Sequence, residues 1–281
     1  MTHPASPPPS LLQGFAAFAE WLADSARVRF APHLDIGSGL RGLGGAGGVE
    51  AKADASLVTA LDRAIEAELR AAIEAEHPTH GVIGEEHGSL RPKAECVWVL
   101  DPIDGTAPFI AGVPVFGTLI ALLWRGTPVL GVMDFPVTGD RWVGVHGLPT
   151  RHRGQPCRTR ACTNLAEAMM TTSSPDFYAA HEAPALQALR SRTRWRIYGG
   201  CCLAYGLLAS GRTDLALDAN FKLYDYAPFV PVLQGAGGVI TDWEGRALTL
   251  ENPSTRILAA GDPALHRQAL ALVQDALAGP G

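Results

Sequence analysis

Residues 11–30 carry Phe15, Phe18, Trp21 and Leu22 at helical spacing and predict a first amphipathic helix. Four of the first ten residues are proline, so a disordered tail is expected over 1–10. A second helix is predicted over 59–74, where Leu61, Ile65, Leu69 and Ile73 recur every four positions and Thr59 with Asp62 suits a capping pair. Between the two, residues 37–48 hold seven glycines in twelve positions, too little side-chain surface to pack, and predict a mobile loop. Residues 81–88 form a short apolar segment that delivers two glutamates into a turn, and 96–100, 117–124, 128–133 and 141–145 read as strands, the second and third of these joined through Arg125-Gly126-Thr127. The Pro-, Gly- and Arg-rich stretch 147–160 reads as a domain boundary. Beyond it, strands at 168–172, 215–218 and 239–243 alternate with helices at 183–190, 202–210 and 224–234, the last despite Pro228 and Pro231. The expected organisation is therefore a tail (1–10), an α+β domain (11–150) and an α/β domain (151–281).

At 281 residues, 47% apolar and 18% charged, the composition is that of a soluble globular protein with a full core. No apolar run reaches membrane-span length, and the N-terminus has no basic region followed by an apolar one, so the cytoplasm is the expected compartment and no membrane partner is expected. A net charge of −5, with no concentration of Lys and Arg, argues against a nucleic-acid partner. Five cysteines, two of them adjacent at Cys201 and Cys202, form no disulfide framework. His152, Cys157 and Cys162 match no zinc spacing, and His77 and His80 read as solvated loop residues. GxGxxG occurs twice within 37–47, but no strand leads into it and no helix opens after it, which sets aside a dinucleotide cofactor.

The chemistry concentrates in Asp101-Pro-Ile-Asp-Gly-Thr106. A buried strand fixes Asp101, and Pro102 stiffens the turn so that Asp104 and the Ile103 carbonyl converge on the same point. Gly105 allows a sharp bend, and a short helix from Thr106, with Pro108 in its first turn, turns its N–H groups toward an anion. Hard oxygen ligands beside such a helix start suit Mg²⁺ acting on a phosphate. Further acids end other predicted elements: Asp62, Glu85 with Glu86, and Asp225. Each also has a purely structural reading: Asp62 as a helix-capping acid, Glu86 as a solvated neighbour, and Asp225 as a first-turn acid complementing the helix dipole.

In order and interval, Val58-Thr-Ala-Leu-Asp62, Gly84-Glu-Glu86, Asp101-Pro-Ile-Asp-Gly-Thr106, Tyr224-Asp225 and Gly235-Ala-Gly-Gly238 resemble the inositol monophosphatase family of Mg²⁺-dependent, lithium-sensitive phosphatases. The resemblance implies an α/β (α+β) fold, a layered αβαβα sandwich of the inositol monophosphatase/fructose-1,6-bisphosphatase type, and commonly a homodimer. It implies two to three Mg²⁺ per site, held by Glu85, Asp101, the Ile103 carbonyl, Asp104 and Asp225. Glu85 and Thr106 would orient the attacking water, Asp62 would support the Thr106 hydroxyl, and the N–H groups of Gly105 and Thr106 would hold the phosphate. A catalytically silent metal- or phosphate-binding regulator on the same fold would be expected to have lost some of these ligands.

Within the family, residues 109–123, Asp140-Arg-Trp-Val-Gly144, Tyr198-Gly-Gly200, 204–211 and 239–245 resemble the histidinol-phosphatase branch, which implies L-histidinol phosphate as substrate and a place in histidine biosynthesis. This chain departs from that branch at Ala107, Cys201, Asp218 and Asn220. Gly200, Cys201 and Asp218 are the expected substrate-binding residues, with Asp218 the acid left to pair with a cationic substrate group. The alternatives are an inositol-1-phosphatase-like enzyme on polyol or sugar monophosphates and, after that, nucleotide 3′-phosphates. A lost charged contact costs about 1.5–3 kcal/mol, enough to change substrate preference without touching the chemistry.

Overall fold

The computed structural model describes residues 7–34, 49–51 and 57–278. The expected loop at 37–48 and the first six residues of the expected tail lie outside them. The rest of the tail is not disordered: helix α1 (Pro9–Phe30) starts inside it, with Pro9 in the first turn, where a missing N–H removes no bond. One stripe of α1, including Leu12, Phe15, Ala19, Leu22, Ala26 and Phe30, is buried. A short hairpin, β1 (Val49–Ala51) with β2 (Leu57–Thr59), leads into α2 (Ala60–Glu76). The Thr59 hydroxyl accepts from the N–H of Asp62, whose carboxylate accepts from the N–H of Thr59 at 2.8 Å. This reciprocal cap fixes where α2 begins.

The first sheet has eight strands. In chain order they are β3 (Gly81–Gly84), β4 (Gly88–Leu90), β5 (Cys96–Asp104), β6 (Gly117–Trp124), β7 (Thr127–Phe135), β8 (Asp140–Val145), β9 (Arg151–His152) and β10 (Gln155–Pro156). They lie in the order β10-β9-β8-β7-β6-β5-β3-β4, antiparallel except for β3 with β5. Helix α3 (Thr106–Ala111) follows β5. The β6–β7 turn places Arg125 and Gly126 at φ of 48° and 80°, the left-handed pair of a two-residue hairpin.

The second sheet has five strands: β11 (Met169–Thr172), β12 (Trp195–Tyr198), β13 (Leu215–Asp218), β14 (Val239–Thr241) and β15 (Ile257–Ala260), ordered β12-β11-β13-β15-β14. Its helices are α4 (Ala183–Arg192), α5 (Leu203–Ala209), α6 (Leu223–Tyr226), α7 (Phe229–Ala236) and α8 (Pro263–Ala278). Helices α1 and α2 cover one face of the large sheet, and α5, α6 and α7 lie between the two sheets. Helices α4 and α8 cover the outer face of the small sheet, which completes five layers, αβαβα.

The single helix expected over 224–234 is two helices. Neither Pro228 nor Pro231 has an N–H to give, so the ladder breaks between α6 and α7 although Ala227 and Pro228 keep helical dihedrals. Helix α7 presses on the large sheet through two glycines that face each other across β7 and β8, Gly131 and Gly144. A Cβ on Gly131 would stand 2.2 Å from the Pro228 carbonyl oxygen, and one on Gly144 would stand 2.3 Å from Val232 N. That close approach holds α6, and with it Asp225, against the end of β5.

His77 and His80 are packed, contrary to the solvated reading. Their rings stack on each other at 4.6 Å and on Trp98, with Phe15 and Phe18 meeting them edge-on, and Trp98 Nε1 donates to His80 Nδ1 at 3.1 Å. Burial, helped by His77, lowers the His80 pKa to about 4, and burial lowers that of His77 in the same direction. Between the ordinary 6.5 and about 4 the unfolded chain therefore binds more protons. Stability from this pair is complete above that window and is lost as pH falls through it. His80→Gln, which keeps an acceptor for Trp98 without titrating, should therefore gain melting temperature relative to the wild type as pH falls from 7.5 to 5. A constant difference between the two across that range would contradict this assignment.

Candidate active site

In a regular strand Asp101 and Asp104, three residues apart, would point to opposite faces. In β5 the pairing with β6 slips between them, from Asp101 opposite Leu119 to Asp104 opposite Gly117. The irregularity turns both acids to one side. Gly105, at φ 81°, closes the turn and caps α3, whose first residue is Thr106. Next to β5 runs its parallel neighbour β3, and Gly84 pairs with Leu100, so Glu85 and Asp101 emerge side by side. The Glu85 N–H donates to the Leu100 carbonyl at 3.2 Å. From the other side α6 brings Asp225, its carboxylate fixed by the Lys222 N–H at 2.6 Å.

Asp101, Asp104 and Asp225 each offer a carboxylate oxygen, and these oxygens lie within 4.8 Å of one another. Asp101 is 2% exposed, and its Oδ1 is buried with no hydrogen-bond partner. Asp104 accepts from the Cys202 N–H at 2.9 Å. All three pKa values are raised, first by burial. For Asp101 the charges of Glu85, Asp104 and Asp225 add to this, and for Asp225 that of Asp104. So many carboxylates at one point repel unless a cation neutralises them, and the orphaned Asp101 oxygen is an open ligand position. The donor set, all hard oxygen, fits Mg²⁺.

These groups line a cleft of about 540 Å³ that also holds Glu85, Ile103, Gly105 and Thr106. Asp62 lies beneath it, fully buried. The Thr106 hydroxyl is 3.0 Å from the Ile103 carbonyl and 3.4 Å from Asp62 Oδ1, so its one proton has two acceptors. Burial raises the pKa of Asp62, opposed by its bonds to Thr59.

The expected substrate residues divide. Cys201 lines the cleft, its thiol pKa pushed up by burial and by Asp104 and so held as the neutral thiol. Gly200 and Asp218 are not among the described residues lining it. Asp218 is 1% exposed, and its carboxylate accepts from the Tyr205 hydroxyl at 2.9 Å, the Thr172 hydroxyl at 3.1 Å and the Ser173 N–H at 2.6 Å. Burial raises its pKa to about 7. The short aspartate arm, tied from three sides, does not offer the exposed charge that a cationic substrate group was expected to meet. Asn220, one of the departures from the branch pattern, also lines the cleft, and the unanticipated wall residues are Ser173, Phe177, Phe221, Lys222 and Tyr224. Ser173 directly follows β11, and the rule that ligands bind beyond the carboxyl ends of strands could have pointed to it.

The model of the inositol monophosphatase family matches residues 38–278. The chain is 40% identical to the bifunctional phosphatase IMPL2, chloroplastic, of Arabidopsis thaliana, over 92% of this chain and 75% of that protein. It is 34% identical to the histidinol-phosphatase of Mycobacterium tuberculosis, over 71% of this chain and 79% of the other. An inositol monophosphatase structure from Zymomonas mobilis superposes with a TM-score of 0.82 at 38% identity, covering 93% of this chain and 98% of that one. By its layers, its acidic cleft and these matches, the chain belongs to the inositol monophosphatase family and is a phosphoric monoester hydrolase.

Proposed function

We propose that this phosphatase is Mg²⁺-dependent and hydrolyses a small-molecule phosphate ester, L-histidinol phosphate in preference to polyol or sugar monophosphates. The observation that carries the metal reading is Asp101 Oδ1, a buried carboxylate oxygen without a hydrogen-bond partner beside two further carboxylates. Asp101, Asp104, Asp225, Glu85 and the Ile103 carbonyl would hold two to three Mg²⁺. Bound there, Mg²⁺ supplies Lewis-acid stabilisation of the charge that develops on phosphoryl and leaving oxygens. Glu85 and Thr106 orient the attacking water, and Asp62, tied by its other oxygen to Thr59, steadies the Thr106 hydroxyl. The N–H groups of Gly105 and Thr106 receive the phosphate.

Phe177, Phe221 and Tyr224 support the choice of alcohol. Phe177 is 45% exposed at the cleft, an aromatic surface suited to a flat ring. An imidazole stacks on such a wall, whereas a cyclitol needs hydrogen-bond partners for several hydroxyls. Ser173, Asn220 and Lys222 supply a few polar contacts and favour the second reading, a polyol phosphate. We also place the working form in the cytoplasm as a homodimer, with no nucleic-acid or membrane partner. Among the described residues no helix is long and apolar enough to cross a membrane.

The test is a panel of histidinol phosphate, inositol 1-phosphate and sugar phosphates under saturating Mg²⁺. Stacking at about 1 kcal/mol gives an expected preference for histidinol phosphate of roughly tenfold or less in kcat/KM, reduced by Phe177→Ala. Equal kcat/KM across the panel, or a preference for inositol 1-phosphate, would overturn the substrate assignment.

A further inference from the structure

Glu66 stands on α2 one turn beyond Asp62, its side chain fully buried. Its carboxylate accepts from the N–H groups of Glu86 at 2.7 Å and His87 at 3.0 Å, and from Arg70 Nε at 2.7 Å. Arg70 in turn donates to the Gly88 carbonyl. Glu85, Glu86 and His87 form the whole loop between β3 and β4, since Gly84 and Gly88 pair directly across the hairpin. One carboxylate and its guanidinium partner thus grip that loop through its backbone. The grip is tight: a Cβ on Gly84 would stand 2.0 Å from Glu66 Oε1.

We propose that Glu66 is a positioning residue that holds the 85–87 loop so that the Glu85 carboxylate is delivered to the metal cleft. This rests on the reading of Glu85 as a metal ligand. Glu66 touches neither metal nor substrate; it acts through two N–H groups of the loop. A charged acceptor makes shorter and stronger hydrogen bonds than a neutral one, so the loop is held more firmly than its own hairpin pairing would hold it. Gly84 belongs to the same device, because only a residue without a side chain lets the carboxylate approach the strand end.

Mn²⁺ binding without substrate, followed by the electron paramagnetic resonance signal of free Mn²⁺, tests this on wild type, Glu66→Gln, Gly84→Ala and Glu85→Gln. Groups that orient metal ligands typically account for about 10–100-fold in metal affinity. Glu66→Gln and Gly84→Ala are each expected to weaken Mn²⁺ binding by about tenfold, with far-ultraviolet circular dichroism like that of wild type. At saturating Mg²⁺ their kcat should return toward the wild-type value, because Glu66 takes no part in the chemistry. Should Glu66→Gln fail to fold, Gly84→Ala still decides, since its methyl group displaces only the end of a flexible side chain. Wild-type Mn²⁺ affinity in folded Glu66→Gln or Gly84→Ala, with weakened binding in Glu85→Gln, overturns the role of Glu66 alone. Wild-type affinity in Glu85→Gln overturns the reading beneath it.

Discussion

Asp104→Asn is expected to lower kcat for phosphate release by on the order of 10³-fold, the rate equivalent of about 4 kcal/mol of charge stabilisation lost with the metal. The substitution is nearly isosteric, and the asparagine carbonyl still accepts the Cys202 N–H that Asp104 accepts at 2.9 Å. What disappears is one negative charge from a cluster of three carboxylates, Asp101 buried and Asp104 and Asp225 partly buried. That charge raises the pKa of both Asp101 and Asp225, so the metal-free protein should gain stability when it is removed. The two effects have opposite signs, which a general packing defect does not produce. Steady-state kinetics beside thermal melts in EDTA check both. A variant that loses activity and also melts earlier without metal would assign Asp104 a structural role.

Thr106→Ala should cost on the order of 10²-fold in kcat through lost orientation of the attacking water, with little change in the Mg²⁺ concentration for half-activation. The hydroxyl sits between the Ile103 carbonyl and Asp62, and both would survive its removal. Thr106→Ser should recover most of the rate, since it restores the same oxygen. Asp62→Asn should fall between them, because the amide oxygen can still accept from one partner. If Thr106→Ala instead raises the half-activating Mg²⁺ concentration and keeps kcat, the residue belongs to the metal shell.

Much of this site was legible because each acid ends an element whose pattern is local. The Thr59–Asp62 cap, the apolar run before Asp101 and the turn glycine at 105 are read within a few residues of themselves. Harder to read were features set by distant neighbours. Glu66 sits beside Ile65 and Leu69 on the buried side of α2, and only the spatial neighbourhood of the Glu86 and His87 N–H groups explains an acid there. Asp218 ends its strand as expected, yet Tyr205, Thr172 and Ser173 hold it below the cleft, and no sequence spacing announces their convergence. His77 and His80 follow the end of α2 and looked solvated until α1 and Trp98 were laid over them. Strand β15 is a four-residue run in the interior of its sheet, too short to separate from a buried loop by pattern alone. Strand β12, at the sheet edge with every residue exposed, alternates only over Trp195-Arg196-Ile197, too short a run to betray it. The break between α6 and α7 was visible as Pro228, but an apolar stretch of helical character outweighed it.

The central claim is that the carboxylates of Asp101, Asp104 and Asp225 act through a bound divalent cation to cleave a phosphate ester. Phosphate release from histidinol phosphate, measured as Mg²⁺ is returned to chelated protein with Asp104→Asn alongside, addresses it most directly. The expected result is no release above background without metal, saturable recovery in the wild type and none comparable in the variant. Release that persists in excess chelator, or Asp104→Asn recovering to the wild-type rate at the same Mg²⁺ concentrations, would contradict the claim.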